Sequence, residues 1–510
     1  MSELTVIVLA AGGGTRMKSK TPKVLHPVGG RSMVGHVLAA VRAAGADRDL
    51  RVVAVVGHQR ELVAAHIAEL MPEATIAVQE EQLGTGHAVR VAVEAAAVGG
   101  GTVVIAYADT PLLQAESLRD LVTDHESSGQ AVSILSGVVP DPYGYGRIVR
   151  DADGDVEAIV EEDEADDEQR AINEINSGIM AFDGAFLADA LPKVSNDNAK
   201  GEYYLTDLVA LARAAGRPVG ALVLEDVMQT QGANDRVQLA ALGKELNRRI
   251  VTRWMREGVS IMDPATTWIE ADVELAPDVT ILPGVQLLGA TKVDEDAVIG
   301  PDSTLKDCEI GVGARVVRAH AELAVIGAQA NVGPFAYLRP GAQLGVGGKI
   351  GTFVEVKNSQ IGDGAKVPHL SYVGDASIGE GTNIGAGSIF ANYDGVQKHR
   401  SVIGRHAKTG SHNTFVAPVT VGDGAGTGGG TVVRGDVPPG ALALSAGPMR
   451  IIEGWAQRRR PGTRQAEAAA AAADDAAEPP GGVPSTPGER EASRTPTPGV
   501  GDQAAGATES

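Results

Sequence analysis

Residues 275–300 read LAPDVT-ILPGVQ-LLGATK-VDEDAV-IG, so Leu275, Ile281, Leu287, Val293 and Ile299 follow one another at intervals of six. Neither a helix, with its repeat of about 3.6, nor a strand, with its repeat of about 2, produces that spacing. It is the period of a triangular parallel β-helix, with one flat side per hexad, an inward aliphatic residue and a small residue turning each corner. The spacing reaches Leu305 and resumes at Ile326, Val332, Leu338, Leu344, Ile350 and Val356. It resumes again at Ile361, Val367 and Val373, then at Ile378 and Ile384. Glycine follows several of these residues, as in Ile299-Gly300, Ile361-Gly362, Ile378-Gly379 and Ile403-Gly404. A helical bundle does not tolerate that density, because each interior glycine costs roughly 1 kcal/mol relative to alanine. The run Asn392 to Arg400 breaks the period and is expected to loop out of the prism.

Upstream, residues 1–232 alternate apolar runs (Thr5–Leu9, Val52–Val56, Val103–Ala106) with helical stretches such as Met33–Ala44 and Gly86–Ala97. Such runs suit strands buried on both faces, so this part reads as a Rossmann-like α/β domain with a mainly parallel sheet. Residues 233–258 carry Val237, Leu239, Leu242, Leu246 and Ile250 among charges, a linker helix broken near Gly258. The β-helix, expected to be left-handed, then occupies 259–455. From 456 to 510 the chain is rich in Ala, Pro, Gly, Ser and Thr without large apolar residues, the composition of a disordered tail; Ala468–Ala473 could be transiently helical.

Among 510 residues, 43% are hydrophobic, 3% aromatic and 65 are glycine, which favours a turn-rich fold over a core of large rings. A net charge of -21 argues against nonspecific nucleic-acid binding, which needs clustered Lys and Arg. The single cysteine, Cys308, rules out an internal disulfide or a cysteine-based metal site, fits a reducing cytoplasm and reads as a core residue. The N-terminus runs straight into a strand rather than a signal segment, and no apolar run approaches the ~20 residues that span a bilayer, so no membrane insertion is expected.

The strand Thr5–Leu9 opens into Ala10-Ala11-Gly12-Gly13-Gly14-Thr15-Arg16. Small residues after a first strand let backbone N–H groups approach phosphates closely. Arg16 follows at once and Lys23 soon after, two cations suited to the charge on a leaving pyrophosphate. The order differs from the P-loop's. Together with Pro22-Lys23, this segment resembles the signature of sugar-phosphate nucleotidyltransferases. Gln79 with Gln82-Leu83-Gly84-Thr85-Gly86-His87-Ala88 resembles their uridine-reading segment, and Asp109-Thr110-Pro111-Leu112-Leu113 their metal-aspartate motif. The segments Gly144–Ile148, Ile159–Glu161, Glu174–Gly178 and Glu202–Asp207 complete the pattern. With the hexads included, residues 4–455 resemble the bifunctional N-acetylglucosamine-1-phosphate uridyltransferase/glucosamine-1-phosphate acetyltransferase family of peptidoglycan biosynthesis.

The resemblance implies the following roles. Leu9, Ala10, Ala11, Gly12 and Tyr107 belong to the UTP site, Gln79, Gly84 and Thr85 read uracil, and Arg16 and Lys23 offset phosphate charge. Asp109 and Asn234 hold Mg²⁺. Gly146, Glu161 and Asn176, again with Asn234, bind N-acetylglucosamine-1-phosphate. Ala108 stands where many relatives have glycine, and its methyl is expected to narrow the nucleotide site.

In the hexads, Val367-Pro368-His369-Leu370-Ser371-Tyr372 places an imidazole within one coil, near Lys357 of the preceding coil. Histidine ordinarily titrates near neutrality and suits removal of a proton from an attacking amine. The resemblance makes His369 the general base and assigns Arg339, Lys357, Tyr372 and Asn383 to glucosamine-1-phosphate. It assigns Ala386, Asn392, Tyr393, Ser411 and Gly429 to acetyl-CoA. Departures are Ala391 before the Asn-Tyr pair, the Gly428-Gly429-Gly430 corner, and Ser445-Ala446-Gly447 where some relatives carry a CoA-contacting arginine, with Arg450 nearby. A three-sided prism with a protruding loop, and the family's acetyl sites between subunits, imply a cytoplasmic homotrimer acting on small molecules. Two alternatives stay open from sequence: a nucleotidyltransferase whose β-helix only assembles or regulates it, and a non-enzymatic scaffold.

Overall fold

The computed structural model describes residues 3–198, 200–445, 447, 449 and 451–477. Chain contacts divide it into two units, Met1–Ser445 and Ala446–Ser510.

The first part of the larger unit is built on a mixed sheet. In chain order its main elements are β1 (Glu3–Ala10), α1 (Met33–Ala44), β2 (Asp49–Val56), α2 (Arg60–Leu70), β3 (Thr75–Val78), α3 (Thr85–Ala95), β4 (Thr102–Tyr107), α4 (Ala115–Ser128) and β5 (Val132–Val138). There follow the hairpin β6 (Arg147–Arg150) and β7 (Val156–Val160), β8 (Glu174–Asp183), α5 (Gly184–Ala190), α6 (Asp207–Ala214) and β9 (Val219–Leu224). The strand order is β9-β5-β8-β4-β1-β2-β3, parallel throughout except for β8, which runs antiparallel to β4 and β5. Apolar cores lie on both faces: Ile7, Val53 and Ile105 join one, Val6, Val8 and Val104 the other. This two-sided burial is why these strands carry no polar alternation.

α7 (Arg236–Arg256) begins where the Asp235 side chain accepts from the Val237 and Gln238 N–H groups, and Gly258 beyond it has φ 97°. Leu242 packs with Met17, Val28 and Met33, whereas Ile250, Val251 and Trp254 belong to the β-helix core. Asn247 fixes the first coil: its Nδ2 donates to the Thr267 C=O at 2.8 Å and its Oδ1 accepts from the Ile269 N–H at 2.9 Å. Val237, expected on the apolar stripe, is exposed, because it lies in the first turn, before the helix reaches either core.

From Ser260 the chain forms three parallel sheets of short strands, one per side of a prism. Leu275 pairs with Val293, Ile281 with Ile299 and Leu287 with Leu305, so three hexads make one coil and each aliphatic residue stacks beneath the next in a single core. Cys308 is in that core, fully buried, and burial pushes its thiol pKa up. The 392–400 segment projects as a self-bonded loop, with Tyr393 bridging to Lys398 and His399 Nε2 2.7 Å from Asp394 Oδ2.

The smaller unit differs from the unstructured tail expected from composition. Residues Trp455–Arg459 and Arg464–Ala477 are helical, and the Arg460 guanidinium lies 4.8 Å from the centre of the Trp455 ring. Alanine has the highest helix propensity of any residue, and the Ala468–Ala473 run extends the second helix without any buried stripe. Residues 478–510 of the expected tail lie outside the described residues.

Candidate functional site

Two adjoining cavities open above β1, β4 and β8. The first, of about 280 Å³, is lined by every residue expected to hold nucleotide except Arg16: Leu9 to Gly12 after β1, Lys23, Gln79, Gly84 and Thr85 before α3, and Tyr107 and Asp109 after β4. The second, of about 670 Å³, is lined by the expected sugar residues Gly146, Glu161, Asn176 and Asn234, and by Arg16. Thr85, Tyr107, Asp109 and Glu202 line both. Arg16 therefore faces the sugar half, where a bound phosphate would meet it.

The local geometry follows from the glycines and amides. Gly14 has φ 57°, and a Cβ there would lie 2.5 Å from Lys23 Cβ, so the glycine lets the lysine fold beneath the loop. Gln82 Nε2 donates to the Ala11 C=O at 2.6 Å, tying the uridine segment to the glycine-rich turn. Buried Gln79 donates from Nε2 to the Gly84 C=O at 3.2 Å. Thr85 Oγ1 accepts from the Leu205 N–H at 3.1 Å, and the Asn176 N–H donates to the Gly146 C=O at 2.8 Å.

At the junction, Lys23 Nζ lies 2.5 Å from Asp109 Oδ2 and 2.7 Å from Asn234 Oδ1. A carboxylate and an amide oxygen thus converge on one cationic point. This donor set fits Mg²⁺, which takes one or two protein oxygens and completes its shell with water and phosphate. Burial raises the Glu161 pKa against the pull of its hydrogen bond from Thr206. Burial, with Asp109 and Glu161 nearby, raises that of Tyr107 and keeps the phenol protonated.

The expectation for Ala108 is corrected. Its side chain is fully buried in the core beside Val8 and Leu113, while Tyr107 and Asp109, on either side of it, line the cavities. The added methyl packs away from nucleotide.

On the prism, Arg339 directly follows one strand of a face and Lys357 ends the next, and Tyr372 sits in register with Glu355 on the same face. Arg339 Nη1 pairs with Glu355 Oε1 at 2.9 Å. A Cβ at Gly374 would collide with Tyr372 Oη and lie 2.8 Å from Asn392 Nδ2, so this glycine lets the phenol and the amide close over the ladder beside Lys357. His369 ends a strand of the adjoining face, and its imidazole has no hydrogen-bond partner among the described residues. Asn383 is not brought to the Arg339 face: it bridges to Lys366 and Lys408 on the adjoining one and is exposed there.

Ala386, Ser411 and Gly429 stack along one corner, where the His412 N–H donates to the Ala386 C=O at 2.6 Å and the Gly430 N–H to the Ser411 C=O at 2.8 Å. Asn392 is buried at the root of the protruding loop and Tyr393 is exposed upon it. Ala446 and Arg450 lie outside the described residues.

Several lining residues were not singled out from sequence. Gln82, Glu202 and Tyr145, whose Oη donates to Gln231 Oε1 at 3.0 Å, stood inside quoted motifs; Lys200 and Gln231 carried no separate signal. Lys398, on the loop, stands within hydrogen-bond reach of Lys357, and that contact, with the repulsion between the two charges, lowers its pKa.

A phosphate-handling cleft at the strand ends of an α/β sheet, followed by a hexad prism with its own polar site, defines a nucleotidyltransferase joined to a β-helix acyltransferase. Residues 6–168 match the MobA-like NTP transferase domain. The chain is 57% identical over 465 residues to the bifunctional protein GlmU of Pseudarthrobacter chlorophenolicus, covering 91% of this chain and 94% of that one. It is 56% identical to that of Streptomyces avermitilis (91% and 96% covered) and 55% identical to that of Corynebacterium jeikeium (95% and 99% covered). The chain belongs to the bifunctional GlmU family, with uridyltransferase and glucosamine-1-phosphate acetyltransferase activities.

Proposed function

We propose that residues 259–455 N-acetylate glucosamine-1-phosphate with acetyl-CoA, that residues 1–232 then transfer uridyl from UTP to the N-acetylglucosamine-1-phosphate formed, and that 233–258 link the two. The observation that carries the reading is the meeting of the two cavities at Asp109, with Lys23 on one side and Asn234 on the other.

In uridyl transfer, Gln79, Gly84 and Thr85 hold uracil, and Leu9 to Gly12 present the backbone to the phosphates. Gly146, Glu161 and Asn176 orient the sugar so that its phosphate oxygen faces the α-phosphorus. A P–O bond forms there as the bond to pyrophosphate breaks. Lys23 and Arg16 meet the charge that develops. Asp109 and Asn234 would hold Mg²⁺, which would supply further neutralisation of phosphate charge when bound.

In acetyl transfer, Arg339 and Lys357 bind the sugar's phosphate, Tyr372 and Asn383 its ring, and Ala386, Asn392, Tyr393, Ser411 and Gly429 the acetyl-CoA. His369 takes the amine proton as the C–N bond forms and the C–S bond to CoA breaks.

The working form is a cytoplasmic homotrimer. Asn383 and Arg339 project from different faces, so a neighbouring subunit is needed to bring such residues to one ligand. Phe335, Phe353 and Leu370 also form an exposed apolar row along one corner, with the two phenyl rings stacked 5.4 Å apart. No helix among the described residues is long and apolar enough to cross a membrane.

Two assays on the purified chain test the reading. Thiol release is expected from acetyl-CoA with glucosamine-1-phosphate, and pyrophosphate release from UTP with N-acetylglucosamine-1-phosphate and Mg²⁺. Pyrophosphate without thiol release would overturn the acetyltransferase half.

A further inference from the structure

Asp375 carries no motif, yet it holds together residues from three coils. It turns the corner between the strands Tyr372–Gly374 and Ala376–Ile378 with φ 49°, a left-handed conformation that aspartate tolerates better than most residues. Its side chain is nearly buried. Oδ1 accepts from Asn358 Nδ2 at 2.6 Å, and Oδ2 accepts from Lys357 Nζ at 3.2 Å and from Asn392 Nδ2 at 2.5 Å. Its backbone C=O accepts from the Ser401 N–H at 3.2 Å. One residue thus grips the proposed phosphate-binding ammonium and both feet of the loop that presents Asn392 and Tyr393.

An ionised carboxylate is an acceptor only, with room for about four donors, so it alone can take all three side chains without placing a donor against a donor. The three donors hold its pKa below the usual carboxylate range against the effect of burial. Lys357 Nζ, bonded to the carboxylate, stands beside Lys398, which feels both the lysine's charge and that of Asp375.

We propose that Asp375 is a positioning residue for acetyl transfer, fixing Lys357 and Asn392 relative to each other so that the sugar phosphate and acetyl-CoA are held in register. This rests on the acetyltransferase reading above. Asp375 touches neither substrate and acts through the two groups it holds. An asparagine in its place has the same shape, but it turns an N–H₂ toward one of the three donors and loses the charge that holds the lysine.

The test is steady-state acetyl transfer by the full-length chain, with uridyl transfer and the thermal midpoint as folding controls. Asp375→Asn is expected to lower kcat/KM for glucosamine-1-phosphate by about 10- to 100-fold, the scale of lost hydrogen bonds to charged groups, with uridyl transfer unchanged. Lys357→Met alone lowers the same parameter. Because Asp375 works through Lys357, adding Asp375→Asn to Lys357→Met is expected to cost only about threefold more, a non-additivity typical of contacting residues. Unchanged acetyl transfer in Asp375→Asn, or losses that multiply in the double variant, would overturn the proposal. If Asp375→Asn does not fold, Asn358→Ala serves instead, since Asn358 grips the carboxylate oxygen opposite the one that takes Lys357 and Asn392. It is expected to cost about 3- to 10-fold in acetyl kcat/KM, and no loss would overturn the proposal. A wild-type chain without acetyl transfer would overturn the acetyltransferase reading and this proposal together, whereas an active wild type with an unaffected Asp375→Asn overturns this proposal alone.

Discussion

Lys23 Nζ stands 2.5 Å from Asp109 Oδ2, although five strands separate the two residues in sequence. Asn234, from just before the linker helix, completes the group. The pair places a cation beside the carboxylate at the point where the two cavities meet. In the proposed uridyl transfer, charge neutralisation at the reacting phosphates rests on residues 23, 109 and 234, brought together only by the fold.

Asp109→Ala is expected to abolish formation of UDP-N-acetylglucosamine while acetyl transfer persists, because no acetyl-site residue lies near it. Chelation of divalent metal should do the same to the wild type. Lys23→Ala should slow uridyl transfer at saturating UTP, since the charge it supplies grows as pyrophosphate leaves. Equal loss of both activities in folded Asp109→Ala, measured by pyrophosphate and thiol release, would remove Asp109 from the nucleotide site.

Glu161 gives a prediction for pH. Burial raises its pKa, so the folded chain keeps this proton at pH values where the unfolded chain has released it. Between the ordinary carboxylate pKa and the raised folded value, the contribution of Glu161 to stability falls as pH rises. Glu161→Gln is expected to raise the thermal midpoint relative to wild type at pH 8 more than at pH 4. It should also raise KM for N-acetylglucosamine-1-phosphate. A midpoint difference that does not vary with pH would mean that burial does not perturb this carboxyl.

These sites differ in how far sequence exposes them. The hexads fixed the prism because a buried side chain every sixth residue has one geometric solution, and the Leu275–Val293 stacking follows from it. The glycine-rich turn, Gln79–Thr85 and Asp109 were legible because each is a contiguous motif beside a strand end. Asp375 was not, because its partners at 357, 358 and 392 are joined by coil register rather than by proximity in sequence. Ala108 was misjudged for a related reason: strand alternation sends its methyl into the core while Tyr107 and Asp109 face the cleft. Asn383 was grouped with Arg339 by motif, whereas the turn of the prism sets it on another face.

The exposed corner row predicts the assembly. Phe335→Asp with Phe353→Asp is expected to lower the mass measured by light scattering from trimer toward monomer and to reduce acetyl transfer strongly. Uridyl transfer should stay near wild type. A monomeric wild type with full acetyl transfer would show that each prism is complete alone.

Truncation after residue 458 is expected to leave both activities near normal. The helix Arg464–Ala477 is alanine-rich, and terminal segments of this composition usually tolerate removal. Loss of trimer mass or of acetyl transfer in the truncated chain would mean that this helix docks on the acetyl site.

His369 carries the sharpest test. Glucosamine-1-phosphate is largely protonated at its amine near neutral pH, and an ammonium has no lone pair with which to attack a thioester. A neutral imidazole within reach accepts the proton as the C–N bond forms, and general-base help of this kind is worth about 10² to 10⁴ in rate. The geometry suits a base, since His369 ends its strand at a prism corner, beside the face that carries Arg339, Lys357 and Tyr372, and its ring is not committed to a partner among the described residues. His369→Ala is therefore expected to lower acetyl-transfer turnover by about 10² to 10⁴, with acetyl-CoA affinity little changed, because the lost interaction belongs to the transition state. Uridyl transfer from N-acetylglucosamine-1-phosphate should be untouched. If turnover at pH 7 stays near native, the imidazole only packs the corner and another group in the cleft removes the proton.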